Sequence, residues 1–321
     1  MNAAVVHSFS APPRYDTFAE PVPSGEEIVV AVIAAGLHVI AKSLAAGKHY
    51  SSTGELPFIP GLDGVGRLPD GSRVYFARSR PLYGTFAERS LTQRATCFPI
   101  PEKLDDATVA AMMNPGMSSW AALTERTRLA PGESILILGA TGVSGHLAVQ
   151  VARRLGARRV VGAGRNPQAL EELRALGADR VLSLAQDRAA LVAAFRDAIA
   201  EEKIDVVLDF VWGAPAEAAL EAMTQRGVNH GSARIRYVQV GSSAGPTVSL
   251  AAESLRSSGL ELMGSGLGSV PMDRIFRALA AFLQEAAREP FRIRAKVAPL
   301  AQVESLWNAP SEPGVRVVFQ P

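Results

Sequence analysis

Gly139-Ala-Thr141-Gly142-Val143-Ser-Gly145 is the stretch of this chain whose residue types and spacing point most clearly to chemistry. Glycine lets the backbone approach a ligand with no Cβ in the way, and free N–H groups at a helix start attract negative charge, so the pattern suits a pyrophosphate cradle. Taken alone it is equally a tight strand–helix turn. Its flanks decide between the two. Ser134-Ile-Leu-Ile-Leu138 is an unbroken apolar run between Pro131-Gly132 and Gly139, which suits a strand buried on both faces of a parallel sheet. His146 to Leu155 reads as a helix with apolar Leu147, Val149, Val151, Ala152 and Leu155. Strand, glycine turn and helix in this order supply the context that a dinucleotide site requires.

Arg159-Val-Val-Gly-Ala163 reads as the next parallel strand. A site for NAD places Asp or Glu at its end, roughly 20 residues beyond the glycines, on a ribose hydroxyl. Here Gly164, Arg165 and Asn166 stand there. There is no carboxylate to repel a phosphate and one guanidinium to bind it with a planar fork of donors, so the cofactor reads as NADPH rather than NADH. The alternative for Arg165 is a solvated surface charge.

The remaining elements must hold this turn. From about 114 to 265 strands alternate with helices: Arg159–Ala163, helix Pro167–Leu176, strand Arg180–Leu182, helix Asp187–Glu201, strand Asp205–Asp209, helix Ala214–Thr224, then strands Arg236–Val240 and Leu260–Met263. That alternation predicts a doubly wound parallel sheet whose strand C-terminal ends share one ligand-facing edge. Gly139, Gly164, Phe210 and Gly241 fall on that edge. Residues 1 to 113 instead show short β-rich runs (Ala3–Val6, Glu27–Ile33, Arg73–Ala77) separated by proline and glycine turns, which suggests a partly closed antiparallel barrel. A short helix is expected over His38–Ala46. The tail from 266, with helix Met272–Ala287 and strand Arg316–Phe319, is expected to return to the first domain.

At 321 residues, with 48% apolar residues, the chain is long enough for two domains. A formal charge of +2 gives no basic patch for nucleic acid and no polybasic membrane anchor. The single Cys97 can form no internal disulfide and excludes a multi-cysteine zinc lobe, which points to a reducing compartment. No apolar run reaches the roughly 18 residues of a membrane span, and the N-terminus lacks the charged and apolar regions of a secretion signal. A cytoplasmic protein is expected.

Together, Pro60-Gly-Leu-Asp-Gly-Val-Gly66, the glycine turn, Leu176-Gly-Ala-Asp179 and Asp205-Val-Val-Leu-Asp-Phe-Val-Trp-Gly213 resemble the medium-chain dehydrogenase/reductase superfamily, in its zinc-independent quinone oxidoreductase branch. The resemblance spans essentially the whole chain. It implies a doubly wound parallel (Rossmann) domain over 114–265 that binds NADPH, and a discontinuous, partly closed antiparallel β-barrel (GroES-like) substrate domain over 1–113 and 266–321. It also implies a homodimer. In the zinc-dependent branch the metal is held by a Cys, by the His of a Gly-His-Glu segment and by a later Cys; here those places hold His38, Leu62 and Asn114. Leucine cannot ligate a metal, so no metal site is expected. The branch's usual Asn-Pro pair is replaced by Leu37-His-Val-Ile-Ala-Lys-Ser43, which departs from the usual quinone pocket.

Reducing a quinone or an α,β-unsaturated carbonyl develops negative charge on oxygen, which a hydrogen-bond donor stabilises and a proton later quenches. The candidate donors are His38, Lys42 and Tyr50, each with a structural alternative: a packed polar residue, a solvated helix charge and a loop aromatic. Asp63 is expected to order its glycine-flanked loop. Candidate cofactor residues are Gly139, Thr141, Gly142, Val143, Gly145, Gly164, Arg165 and Asn166. The resemblance adds Asn114 and Ser118 where the chain passes between domains, although Ser118 or Ser119 would equally suit a helix N-cap. It adds Phe210, Val211, Gly241 and Ser242 at strand ends, and Gly266 in a glycine-rich segment that is otherwise a flexible hinge. The expected function is zinc-free, NADPH-dependent reduction of a small quinone or enone. The alternative is an NADPH-binding redox sensor or regulatory module with little turnover.

Overall fold

The structure is a computed structural model that describes residues 1–224, 233–310 and 312–321. The chain divides into two compact units, Met1–Pro115 with Ala280–Pro321, and Gly116–Leu279.

The first stretch contributes β1 (Asn2–Val5), β2 (Arg14–Thr17), β3 (Glu27–Gly36), α1 (Val39–Ala45), β4 (Asp63–Arg67), β5 (Arg73–Ala77), β6 (Arg89–Gln93), β7 (Cys97–Pro99) and α2 (Asp106–Ala121). The second unit holds β8 (Ser134–Leu138), α3 (Val143–Arg154), β9 (Arg159–Gly164), α4 (Pro167–Ala175), β10 (Arg180–Ser183), α5 (Arg188–Glu202) and β11 (Val206–Asp209). It continues through α6 (Gly213–Met223), β12 (Arg234–Gln239), α7 (Ala252–Arg256) and β13 (Gly259–Gly264). The chain ends with α8 (Met272–Arg288), β14 (Arg294–Pro299), α9 (Val303–Trp307) and β15 (Val315–Gln320).

In the first unit β3 is the hub. Its first half pairs antiparallel with β6, its middle with β4 and its end with β15, and a register shift between Val32 and Ala34 turns the strand from one partner to the next. The sheet path is β14-β15-β3-β4-β5-β7, with β6 on β3. Multiple partners on one bulged strand curl the sheet into the partly closed barrel that the turn spacing predicts. Its core includes Val30, Val74 and Phe76. Phe86 meets Trp307 and Phe319 edge-on, at 6.1 and 5.5 Å between ring centres, so the C-terminal segment completes this core.

The second unit is a six-stranded sheet in the order β10-β9-β8-β11-β12-β13, every pair parallel. All five residues of β8 are buried, as its unbroken apolar run requires of a central strand. Numbered within the unit, this is the 3-2-1-4-5-6 order of a dinucleotide-binding sheet. The order reverses between β8 and β11, and a ligand crevice opens at such a switch point. Three strands escaped the sequence reading: β2, β14 and the three-residue β7. In β2 every residue is exposed, and β14 interleaves Arg294 and Lys296 with small residues, so neither shows an apolar stripe. Among the described residues no helix is long and apolar enough to cross a membrane.

Candidate functional site

In the second unit β8 delivers the chain to Gly139, whose φ of +81° turns it toward α3. A Cβ at Gly145 would lie 2.4 Å from both Ala140 Cα and Gly139 O, so α3 packs onto the turn only with glycine there. This contact also explains why the helix begins at Val143, three residues before the sequence pattern suggests. Gly142 is its N-cap, with no side-chain cap. The first N–H groups of α3, those of Val143 and its neighbours, therefore have no intrahelical acceptor and gather the positive end of the helix dipole.

β9 ends at Gly164, where a Cβ would lie 2.3 Å from Thr141 Cγ2. The glycine thus makes room for the cradle's threonine. Arg165 is exposed and forms none of the ion pairs found among the described residues. Asn166 caps α4 by accepting from the Ala169 N–H at 3.0 Å, which leaves its amide nitrogen for a ligand. Past β11, the turn at Phe210 and Val211 seats on the cradle. A Cβ at Gly139 would lie 2.9 Å from Val211 Cγ1, and one at Gly241 would lie 2.8 Å from Phe210 O. Ser242 follows Gly241 and accepts from the Gly245 N–H through its carbonyl, at 3.3 Å. Gly139, Phe210, Val211 and Gly241 therefore gather where the strand order reverses.

Ser118 and Ser119 lie inside α2, so neither starts a helix, and the N-cap alternative fails. Ser119 Oγ donates to Ser144 O at 3.5 Å, at the first turn of α3. The segment around Gly266 is a fastened turn, not a loose hinge. Its N–H donates to Ser269 Oγ at 2.9 Å, and Arg126 donates to Gly264 O at 2.8 Å and to Ser269 O at 3.2 Å.

The first unit holds a buried polar group. Asp63, at the start of β4, accepts from Tyr75 Oη at 3.1 Å and from Asn114 Nδ2 at 3.3 Å. His38, at the start of α1, is 3% exposed, and its Nε2 stands 3.6 Å from Asp63 Oδ2. Neither ring nitrogen has a hydrogen-bond partner among the described residues. Its ring rests on Gly36, where a Cβ would lie 2.6 Å from Nε2. Burial holds the imidazole below its usual pKa, against the pull of the Asp63 charge. Arg316 donates to Leu37 O at 2.7 Å, and burial brings its pKa down to about 10. Lys42 is half-buried, not the solvated charge of the sequence alternative, and burial followed by the nearby Arg316 charge lowers its pKa, making it a readier proton donor. Tyr50 stands outside this buried group, 74% exposed, with its ring tilted against that of His49 at 4.2 Å between centres. Gly61 and Leu62, beside Asp63, line a cavity of about 100 Å³ with Leu44, Phe58, Ile59 and Leu82.

Sequence reasoning missed Tyr75 as a hydrogen-bond partner of Asp63 and Arg316 as a nearby charge, because nothing local to either marks it. The depressed His38 pKa has a measurable sign. The unfolded chain takes up its proton near 6.5 while the folded one resists it, so the stabilisation by neutral His38 is complete above that pH and is lost as pH falls below it. Between pH 7 and pH 5 the native chain should lose more thermal stability than His38→Gln, as followed by melting temperature; equal losses would contradict this.

Residues 144–285 match the protein family described as "Zinc-binding dehydrogenase". The chain is 29% identical over its whole length to the whole of the probable NADPH-dependent quinone reductase tdiC of Emericella nidulans. It is 26% identical to the quinone oxidoreductase of Sus scrofa, over 96% of this chain and 92% of that one. The quinone oxidoreductase of Thermus thermophilus, solved alone and in complex with NADPH, superposes over 100% of both chains with a TM-score of 0.80 and 26% identity. The sheet order, the glycine cradle at its switch point, the barrel unit and these full-length similarities agree: throughout its length the chain is similar to the quinone oxidoreductases of the medium-chain dehydrogenase/reductase superfamily.

Proposed function

We propose that this chain is an NADPH-dependent reductase of small quinones, with α,β-unsaturated carbonyls as its second class of acceptor, and that it works without zinc. The observation that carries the reading is the glycine cradle at the sheet's switch point, with an arginine that forms no ion pair among the described residues in place of a carboxylate at the end of β9. Close glycine contacts at 139 and 145, free α3 amides and Arg165 fit a dinucleotide bearing an extra phosphate. When bound, NADPH supplies the hydride. The chain's own residues bind and orient: the α3 amides would take the pyrophosphate, Arg165 the additional phosphate, and Phe210 and Val211 would wall the ring end. For the oxygen that gains charge, the barrel unit offers His38 and Lys42 as donors, with Asp63 behind the imidazole. A homodimer belongs to the same reading, supported by the family resemblance.

The donor set does not fit a catalytic zinc. His38 and Asp63 supply one imidazole and one carboxylate, Asn114 is an amide already spent on Asp63, and Leu62 carries no ligand atom, whereas such a site takes three protein ligands. Among the described residues no third His, Cys, Asp or Glu joins them. The family match at 144–285 also lies outside these positions. The test is NADPH consumption with 1,4-benzoquinone, 9,10-phenanthrenequinone and a short 2-alkenal, before and after dialysis against a chelator. Turnover that survives chelation is expected; loss of turnover restored by zinc would overturn the zinc-free reading. Tight NADPH binding without consumption would favour the redox-sensor alternative.

A further inference from the structure

The turn after β11 is held in an unusual shape. Trp212 has φ +54° and ψ −159°, a region that only glycine adopts freely, and Gly213 follows at φ +58°. Such backbone persists only where its surroundings fix it. Here the fixing group is Asp209, which is fully buried. Its Oδ1 accepts from the N–H groups of Val211 at 2.7 Å and Trp212 at 3.0 Å, and its Oδ2 accepts from Tyr237 Oη at 2.7 Å. No cation is paired with it among the described residues. A buried carboxylate without a counter-charge is costly to keep, and burial pushes its pKa up against the pull of these three donors. An apolar residue would pack the β11 core with less penalty, but it could not collect two successive backbone amides and a phenol.

That turn is the wall of the switch-point crevice. Val211 and Phe210 press on Gly139, Phe210 O presses on Gly241, and a Cβ at Gly213 would lie 2.7 Å from Ala244 O. The Ala244 N–H ties back to Val211 O at 2.7 Å. We propose that Asp209 is a positioning residue of the cofactor site: its carboxylate locks the Phe210–Gly213 turn in the one shape that seats against the glycine cradle and leaves the crevice open to the nucleotide. This rests on the NADPH reading above. Asp209 touches neither cofactor nor substrate in this role; it acts through Phe210 and Val211.

The test compares Asp209→Ala, Asp209→Asn and Gly213→Ala for NADPH affinity by nucleotide fluorescence, for kcat at saturating NADPH, and for melting temperature without nucleotide. Asp209→Ala leaves two amides unpaired and should raise the NADPH KM about tenfold or more, with kcat at saturation within about threefold of native. Asparagine keeps one acceptor for both amides and should bring KM back to within about threefold. Gly213→Ala strains the same turn without altering Asp209 and should raise KM likewise, which keeps the test alive if the first variant fails to fold. Native affinity in Asp209→Ala alongside a lower melting temperature would reduce Asp209 to a packing role and overturn the proposal. An asparagine variant as weak as alanine would also overturn it. Failure of the native chain to bind NADPH would overturn the functional reading as well.

Discussion

Gly145→Ala should cost NADPH binding about 10²-fold, because a near 1 Å displacement of a positioned binding group has consequences of that size. The added methyl would lie 2.4 Å from Ala140 Cα and Gly139 O and 2.6 Å from the Ala140 carbonyl carbon, all backbone atoms that no side-chain rotation can move aside. Either α3 lifts from the turn or the turn shifts under it, and overpacking of this kind costs about 1–3 kcal/mol of stability. Gly142→Ala is the matched control. Its nearest neighbour would be Gly139 O at 3.6 Å and its φ of −83° suits any residue, so stability should change by about 0.5 kcal/mol or less. Denaturant unfolding and NADPH titration of the two variants separate them. Equal behaviour would show that helix packing against the cradle does not depend on the third glycine.

Arg165→Ala should weaken NADPH binding by about 1.5–3 kcal/mol, roughly 10- to 150-fold, and leave NADH binding nearly unchanged, because a charge-assisted phosphate contact is lost in one case only. The side chain is exposed and engaged in no ion pair among the described residues, so its removal disturbs little else in the fold. The reverse change is constrained by Thr141. An acid introduced at position 164 to favour NADH would put its Cβ 2.3 Å from the threonine methyl, so cofactor preference cannot be inverted there without moving the cradle. Equal effects of Arg165→Ala on both cofactors would identify Arg165 as a surface charge.

The glycine cradle was legible because its requirement is local: strand, turn and helix are contiguous, and the missing Cβ atoms are visible as glycines. The parallel sheet was legible for a related reason, since β8 and β11 are buried on both faces and read as unbroken apolar runs. The buried group around Asp63 was not. Its members come from positions 38, 63, 75 and 114, with Arg316 nearby, and only the pairing of β4 with β5 and the return of β15 beside β3 bring most of them together. Lys42 reads as an ordinary helix charge because its partial burial and the nearby charge of Arg316 leave no mark in the adjoining sequence. Asp209 sat in plain view within Asp-Val-Val-Leu-Asp, but its task depends on Tyr237 from β12 and on a backbone shape at Trp212 that no residue pattern announces. Asn166 shows the opposite case: its place before Pro167 is a helix-cap signal that the cofactor reading passed over, and the structure uses its oxygen for that cap.

The decisive measurement is the consumption of NADPH, with NADH alongside, when the purified native chain is mixed with 1,4-benzoquinone. A crevice that holds NADPH through the α3 amides and Arg165 should give turnover with NADPH and far less with NADH at equal concentration. No consumption of either nucleotide, or equal consumption of both, would contradict the reading of this chain as an NADPH-dependent quinone reductase.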